Sequence, residues 1–186
     1  MPYLSRKKLL SFKFKKIGKN VLISEKAQIY NKSEISLDDN IKIDDFVVIS
    51  GKVSFGKYVH IATHSTILGG VAGITFSDFS ACSFNCSIFS QTDDFSGLSM
   101  TNPTVPQKYK NIKKTKIYIG RHVVIGAGSV VFPGVRIEDG CAIGAMSLVT
   151  KSTKPYSIYF GIPAKKIKER KKNFLEYEKL ILKKKE

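Results

Sequence analysis

Between Ile119 and Lys151 the apolar residues keep a fixed step of six. Ile119, Ile125, Val131, Ile137, Ile143 and Val149 mark the step, and four places after each of the first five come Val123, Ser129, Val135, Cys141 and Ser147. An α-helix advances about 100° per residue, so six residues turn it through about 600° and successive members of the series leave the shared face. A helix is excluded. In a strand alternate side chains share a face, so positions one and five of each six point the same way and a corner absorbs the remainder. The pattern predicts short strand, corner, short strand, with Gly120, Gly126, Gly134, Gly140 and Gly144 as the small or permissive residues of corners and close packing.

The step begins earlier, at Ile17, Ile23, Ile29 and Ile35. It slips by two, resumes as Leu37, Ile43, Ile49, Phe55, Ile61 and Ile67, shifts again at a Gly-rich insertion from Gly69 to Gly73, and continues at Phe76, Cys82 and Ile88. Residues 91–116, QTDDFSGLSMTNPTVPQKYKNIKKTK, have no period, two prolines and many polar turn residues. A segment of this length without structure of its own inside a compact repeat points to function, and a functional site is expected there. Three units follow: a basic N-terminal cap over 1–16, the repeat over 17–154 with its insertion at 91–116, and a C-terminal bend and basic helix over 155–186. The cap is expected to cover the open end of the solenoid; contact with lipid headgroups is the alternative. In the C-terminal unit Ile167, Phe174, Tyr177 and Ile181 fall on one side of the expected helix, which either closes the column or pairs with another subunit.

Short fixed periods signal a solenoid. The run IGRHVVIGAGSVVFPGVRIEDGCAIGAMSLVTKS, followed by FGIPAKKIKER, resembles the hexapeptide-repeat acyltransferases, most strongly over residues 117–170. The resemblance implies an all-β solenoid, a left-handed parallel β-helix of about six triangular coils, assembled as a homotrimer with active sites between subunits. It also implies an acyl-coenzyme A, here acetyl-CoA, as donor. Carried over residue by residue, Ala127 and Ala145 match positions whose backbone lines the pantetheine channel, Thr150 and Lys151 follow in the V-T-K match, and Lys165 and Lys168 match basic residues that meet the nucleotide phosphates. The SQTDDFSG segment looks like that of polysaccharide-biosynthesis acetyltransferases, which implies a nucleotide- or lipid-linked sugar as acceptor.

The net charge of +16 changes this picture little, because it is unevenly spread. Residues 1–20 carry seven Lys or Arg and no acid, residues 165–186 carry ten against four acids, and the intervening 144 residues hold fourteen against eleven. The repeat body lacks a basic reading face, so nucleic acid is not an expected partner; basic ends suit an anionic membrane surface, an acidic substrate or solubility. Cys82, Cys86 and Cys141 occupy core-facing places and read as small buried hydrophobes. No secretory signal or membrane span is visible, which makes a cytoplasmic location the expectation.

Acyl transfer from a thioester needs an acceptor lone pair, a donor for the developing oxyanion and a slot for the pantetheine arm. In many sugar acetyltransferases of the resembling family a histidine serves as base where this chain has Asp93 and Asp94. An aspartate near its ordinary pKa of about 3.9 is a poor base for an alcohol unless burial raises it. His64 and Asn85 hold the same place in successive coils and are expected to stack; His122 holds that place on another face, where a neighbouring subunit's site is the candidate location. His60 is expected at the surface. If the acceptor is an amine, Asp93 or Asp94 holds it; if it is a hydroxyl, His64 or a raised aspartate is required. Val124 stands where the family often has a Trp, so no stacked ring is available there. The competing readings are a non-sugar acceptor and a non-enzymatic or metal-binding trimer. The differing repeat places of the three histidines argue against convergence on zinc, and no metal is expected.

Overall fold

The computed structural model describes residues 2–183. The six-residue step becomes a three-walled left-handed prism of parallel strands. Wall 1 stacks Val21–Ile23, Ile41–Ile43, His60–Ile61, Ala81–Cys82, Val124–Ile125, Ala142–Ile143 and Ser157–Phe160. Ile23, Ile43, Ile61, Cys82, Ile125 and Ile143 form its buried inner column. Wall 2 aligns Ile29, Ile49, Ile67, Ile88, Val131 and Val149, and wall 3 aligns Ile17, Leu37, Phe55, Phe76, Ile119 and Ile137. Each six therefore supplies one inward rung per wall.

Wall 1 leads through corner A into wall 2, corner B into wall 3, and corner C back to wall 1. Every departure from the sixfold step falls at corner B. Between Ile29 and Leu37 the extra residues form a 3₁₀ turn at Lys32–Glu34; between Ile67 and Phe76 they are the Gly69–Gly73 insertion, which lies within the long strand Thr66–Phe76. Between Ile88 and Ile119 they are the 91–116 segment. The core column is undisturbed because each insertion leaves and re-enters at a single edge.

Corner C shows why its glycines are small. A Cβ on Gly120 would lie 2.6 Å from both the Asp139 N and its Oδ1, because Asp139 accepts from the Arg121 N–H at 2.8 Å. Gly18 with Asp39 and Gly56 with Asp78 repeat the arrangement. Gly120→Ala forces backbone against backbone and is expected to cost about 2 kcal/mol, read as a lowered urea midpoint.

The ends are closed differently. Helix α1, Arg6–Ser11, is capped by Ser5 and buries Leu9 in the core. At the other end Gly161 (φ +103°) turns the chain so that Lys165–Glu169 runs antiparallel to Ser157–Phe160. Helix α2 is Phe174–Lys183. This corrects the expectation that Ile167 lies on the C-terminal helix: it belongs to an exposed edge strand, and its seven-residue spacing from Phe174 mimics a helical face. The helix as expected also extends over residues 184–186, which lie outside the described residues.

Candidate active site

Corner A collects four of the expected site residues along one edge. The His64 N–H donates to the Asp45 carbonyl (3.2 Å), the Asn85 N–H to Thr63 (3.1 Å), the Gly128 N–H to Phe84 (2.9 Å) and the Met146 N–H to Ala127 (2.8 Å). His64 and Asn85 thus share one column of this corner with Gly128 and Met146, and Ala127 and Ala145 share the adjacent column with Thr63 and Phe84, one coil apart, about 4.8 Å per step. The N–H groups of Ala127 and Ala145 have no acceptor among the described residues. Two free donors at coil spacing on a straight edge are what a chain of amides, such as pantetheine, requires.

His64 and Asn85 both adopt left-handed backbone (φ +63° and +56°) and are exposed. The His64 ring stacks on Phe46 at 4.9 Å, and its nitrogens make no hydrogen bond among the described residues. No carboxylate among the described residues orients it as a base. His60, by contrast, is oriented: its Nε2 lies 2.7 Å from the buried Asp44 carboxylate on wall 1.

His122 does not join corner A. It lies on corner C, between Phe79 (4.9 Å) and Phe174 (4.8 Å), with Nε2 2.8 Å from Glu178 Oε2. Arg121 also pairs with Glu178, and Arg170 donates to the carbonyls of His122 (2.8 Å), Gly140 and Cys141 (3.1 Å each). This cluster docks α2 against the prism, and His122 lies within that contact. Burial, and after it the Arg121 and Arg170 cations, holds the His122 imidazole below its ordinary value of 6.5. The folded state therefore binds fewer protons at this residue than the unfolded chain. Stability is expected to rise with pH up to about 6.5 and to fall on acidification. His122→Gln removes that slope from the pH dependence of the urea midpoint.

The 91–116 segment is more ordered than its composition predicts. Gln91–Thr92 pairs antiparallel with Lys113–Lys114, so the loop leaves corner B on a two-stranded stem. Asp94 is used up inside it: its carboxylate accepts from the Ser96 N–H (2.9 Å), Ser96 Oγ (2.6 Å) and Ser99 Oγ (2.9 Å), which hold its pKa below the ordinary carboxylate value. Asp93 is not used up. Its carboxylate makes no hydrogen bond among the described residues, and it borders three hollows of about 610, 220 and 290 Å³ at the base of the loop. The two neighbouring aspartates thus separate into a brace and a free carboxylate.

Thr150 and Lys151 are exposed where wall 2 ends at corner B. Lys165 and Lys168 are exposed on the edge strand and make no ion pair among the described residues, whereas Lys166 pairs with Glu169. A further hollow of about 510 Å³ lies on wall 3, but its acids are engaged in the fold: Asp38 pairs with Lys16 (3.1 Å), and Asp78 and Asp139 brace corner C. No group of three or more His, Cys, Asp or Glu among the described residues is placed to hold a metal ion.

Within the chain the corner A donors and Asp93 stand apart, because wall 2, with Ser87–Phe89 and Val130–Val131, lies between corners A and B. The family model "Bacterial transferase hexapeptide (six repeats)" matches residues 116–151. An Escherichia coli dTDP-4-amino-4,6-dideoxy-D-glucose acyltransferase is 43% identical over 184 residues, 97% of this chain and 95% of that protein. The chain belongs to the hexapeptide-repeat acyltransferases. The crystal structure of AntD, an N-acyltransferase from Bacillus cereus, in complex with dTDP and 3-hydroxybutyryl-CoA superimposes with a TM-score of 0.96 at 45% identity, covering 98% of this chain and 97% of that one. Variants of AntD at one aspartate and at a serine ten residues before it have also been solved. A putative Escherichia coli lipopolysaccharide O-acetyltransferase, WbbJ, is 27% identical over 76% of this chain and 74% of its own. As a member of this family the chain is an acyltransferase.

Proposed function

We propose that this acyltransferase moves a short acyl group from an acyl-coenzyme A, acetyl-CoA in the simplest case, to the amino group of a dTDP-linked amino-dideoxy sugar destined for a surface polysaccharide. The observation that carries the reading is the 43% identity, over almost the whole of both chains, to an acyltransferase named for such a sugar. The local chemistry supports nitrogen as the acceptor atom. Among the described residues His64 has no orienting carboxylate, as a hydroxyl acceptor would need, while an amine brings its own lone pair. As the carbon–nitrogen bond forms, the nitrogen becomes positive, and the free Asp93 carboxylate suits the task of stabilising it and accepting its proton.

Ser83 and Asp93 are ten residues apart, the spacing of the serine and aspartate substituted in AntD, whereas ten places before Asp94 stands Phe84. This pairs Ser83, at the entry to corner A, with Asp93 as site residues. Ala127 and Ala145 then receive the pantetheine amides, Thr150 and Lys151 flank the donor, and Lys165 and Lys168 meet its phosphates. Because Asp93 and the corner A donors lie at different edges of one protomer, the site is completed by the loop of a neighbouring subunit in a homotrimer. The pools of nucleotide sugar and acyl-CoA place the reaction in the cytoplasm, and the basic ends suit an anionic membrane surface nearby. The test is free-thiol release from acetyl-CoA and 3-hydroxybutyryl-CoA with two acceptors, dTDP-4-amino-4,6-dideoxyglucose and the matching sugar with a 4-hydroxyl. Release with the amine alone supports the proposal; release with the hydroxyl alone overturns it in favour of O-transfer.

A further inference from the structure

A ladder of small polar side chains runs through the core beneath corner A. Ser65 Oγ donates to the Ser83 carbonyl (2.9 Å) and accepts from the Cys86 N–H (3.2 Å). One coil on, Cys86 Sγ donates to the Gly126 carbonyl at 3.3 Å. On the next, Ser129 Oγ donates to the Gly144 carbonyl (3.0 Å) and accepts from the Ser147 N–H (3.3 Å). Ser147 Oγ in turn donates to Gly144 (2.8 Å) and accepts from the Gly161 N–H (3.1 Å). All four side chains are buried, from 0% to 2% exposed. Each coil therefore holds the corner of the coil after it.

A trans peptide is planar, with its C=O and the next N–H pointing in opposite directions. Holding the Gly126 and Gly144 carbonyls toward the core consequently turns the Ala127 and Ala145 N–H groups outward, and neither has an acceptor among the described residues. The rungs are unequal. Ser129 grips its corner at both ends through a hydroxyl, whereas Cys86 holds Gly126 with a weak thiol donor at 3.3 Å, and the Gly126 carbonyl also takes the Ser129 N–H at 3.3 Å.

We propose that Ser65, Cys86, Ser129 and Ser147 are positioning residues that aim the corner A amides at the acyl carrier, and that Cys86 makes the Ala127 rung the softest of the set. The proposal rests on the coenzyme A reading above. Calorimetric titration of the full-length protein with free coenzyme A tests it. Ser129→Ala is expected to weaken binding about fivefold, the loss of roughly one aimed hydrogen bond, and Ser129→Thr to restore it. Cys86→Ser is expected to tighten binding about twofold to fivefold by replacing a thiol rung with a hydroxyl one. Ser80→Ala is the control. Ser80 is equally buried and donates to the Ser77 carbonyl at 2.6 Å, but at corner C, away from the carrier edge; it is expected to lower thermal stability like Ser129→Ala without changing the coenzyme dissociation constant. Equal weakening by Ser80→Ala and Ser129→Ala, or unchanged binding in both Ser129→Ala and Cys86→Ser, overturns the inference. Failure of the unmodified protein to bind coenzyme A overturns the proposed function itself.

Discussion

Asp93→Asn is expected to lower kcat for the amino-sugar acceptor about 100-fold while leaving the affinity for coenzyme A unchanged. Removal of a positioned proton acceptor costs on that order. The amide keeps the shape of the carboxylate and loses its charge, so the nitrogen that becomes positive on attack finds no counter-charge. Asp94→Asn provides the contrast. It weakens the bonds to Ser96 and Ser99 that fold the loop, so its effect falls on the acceptor KM rather than on kcat. Steady-state kinetics with both substrates varied separates the two. An Asp93→Asn enzyme with unaltered kcat contradicts the division of labour between the two carboxylates.

Excision of residues 93–112, with Thr92 joined to Lys113 through an Asn-Gly turn, is expected to abolish transfer to the acceptor and leave the prism intact. The stem Gln91–Thr92 and Lys113–Lys114 is already an antiparallel pair, which a two-residue turn closes without strain. Corner B is the edge at which this chain tolerates insertions, and elsewhere along the column it closes with as little as Pro133 and Gly134. Shortening the loop also changes closure entropy only slightly. Circular dichroism and a thermal melt close to those of the parent, with no detectable thiol release, are the expected results. Retained transfer at a tenth or more of the parental rate would place the acceptor site elsewhere.

What the sequence discloses and what it conceals follow a physical line. The rungs from Ile17 to Val149 are legible because each wall demands an inward apolar residue at a fixed step, and Cys82, Cys86 and Cys141 fit that step. Their second use is not legible. Cys86 and Cys141 donate to the carbonyls of Gly126 and Lys154, which depends on where backbone oxygens point. The slips at Ile35 and Gly69 are visible as changes of phase, but their confinement to one edge emerges only when the coils are stacked. Asp93 and Asp94 cannot be told apart from sequence, because the turn at Ser96 decides which of them is spent. His122 looks like His64 in its repeat place, and the difference is made by Glu178, 56 residues away. Ser83, proposed as a site residue beside Asp93, carries no signal in the repeat at all. The Ala127 and Ala145 places come from resemblance, and the freedom of their N–H groups is a property of the backbone alone.

The most direct measurement is a tandem mass spectrum of the nucleotide sugar recovered after incubation of the purified protein with acetyl-CoA and dTDP-4-amino-4,6-dideoxyglucose. The account predicts one acetyl group carried on the sugar nitrogen and one coenzyme A thiol freed for each amide formed. An unmodified sugar, or an acetyl group found on oxygen, would contradict it.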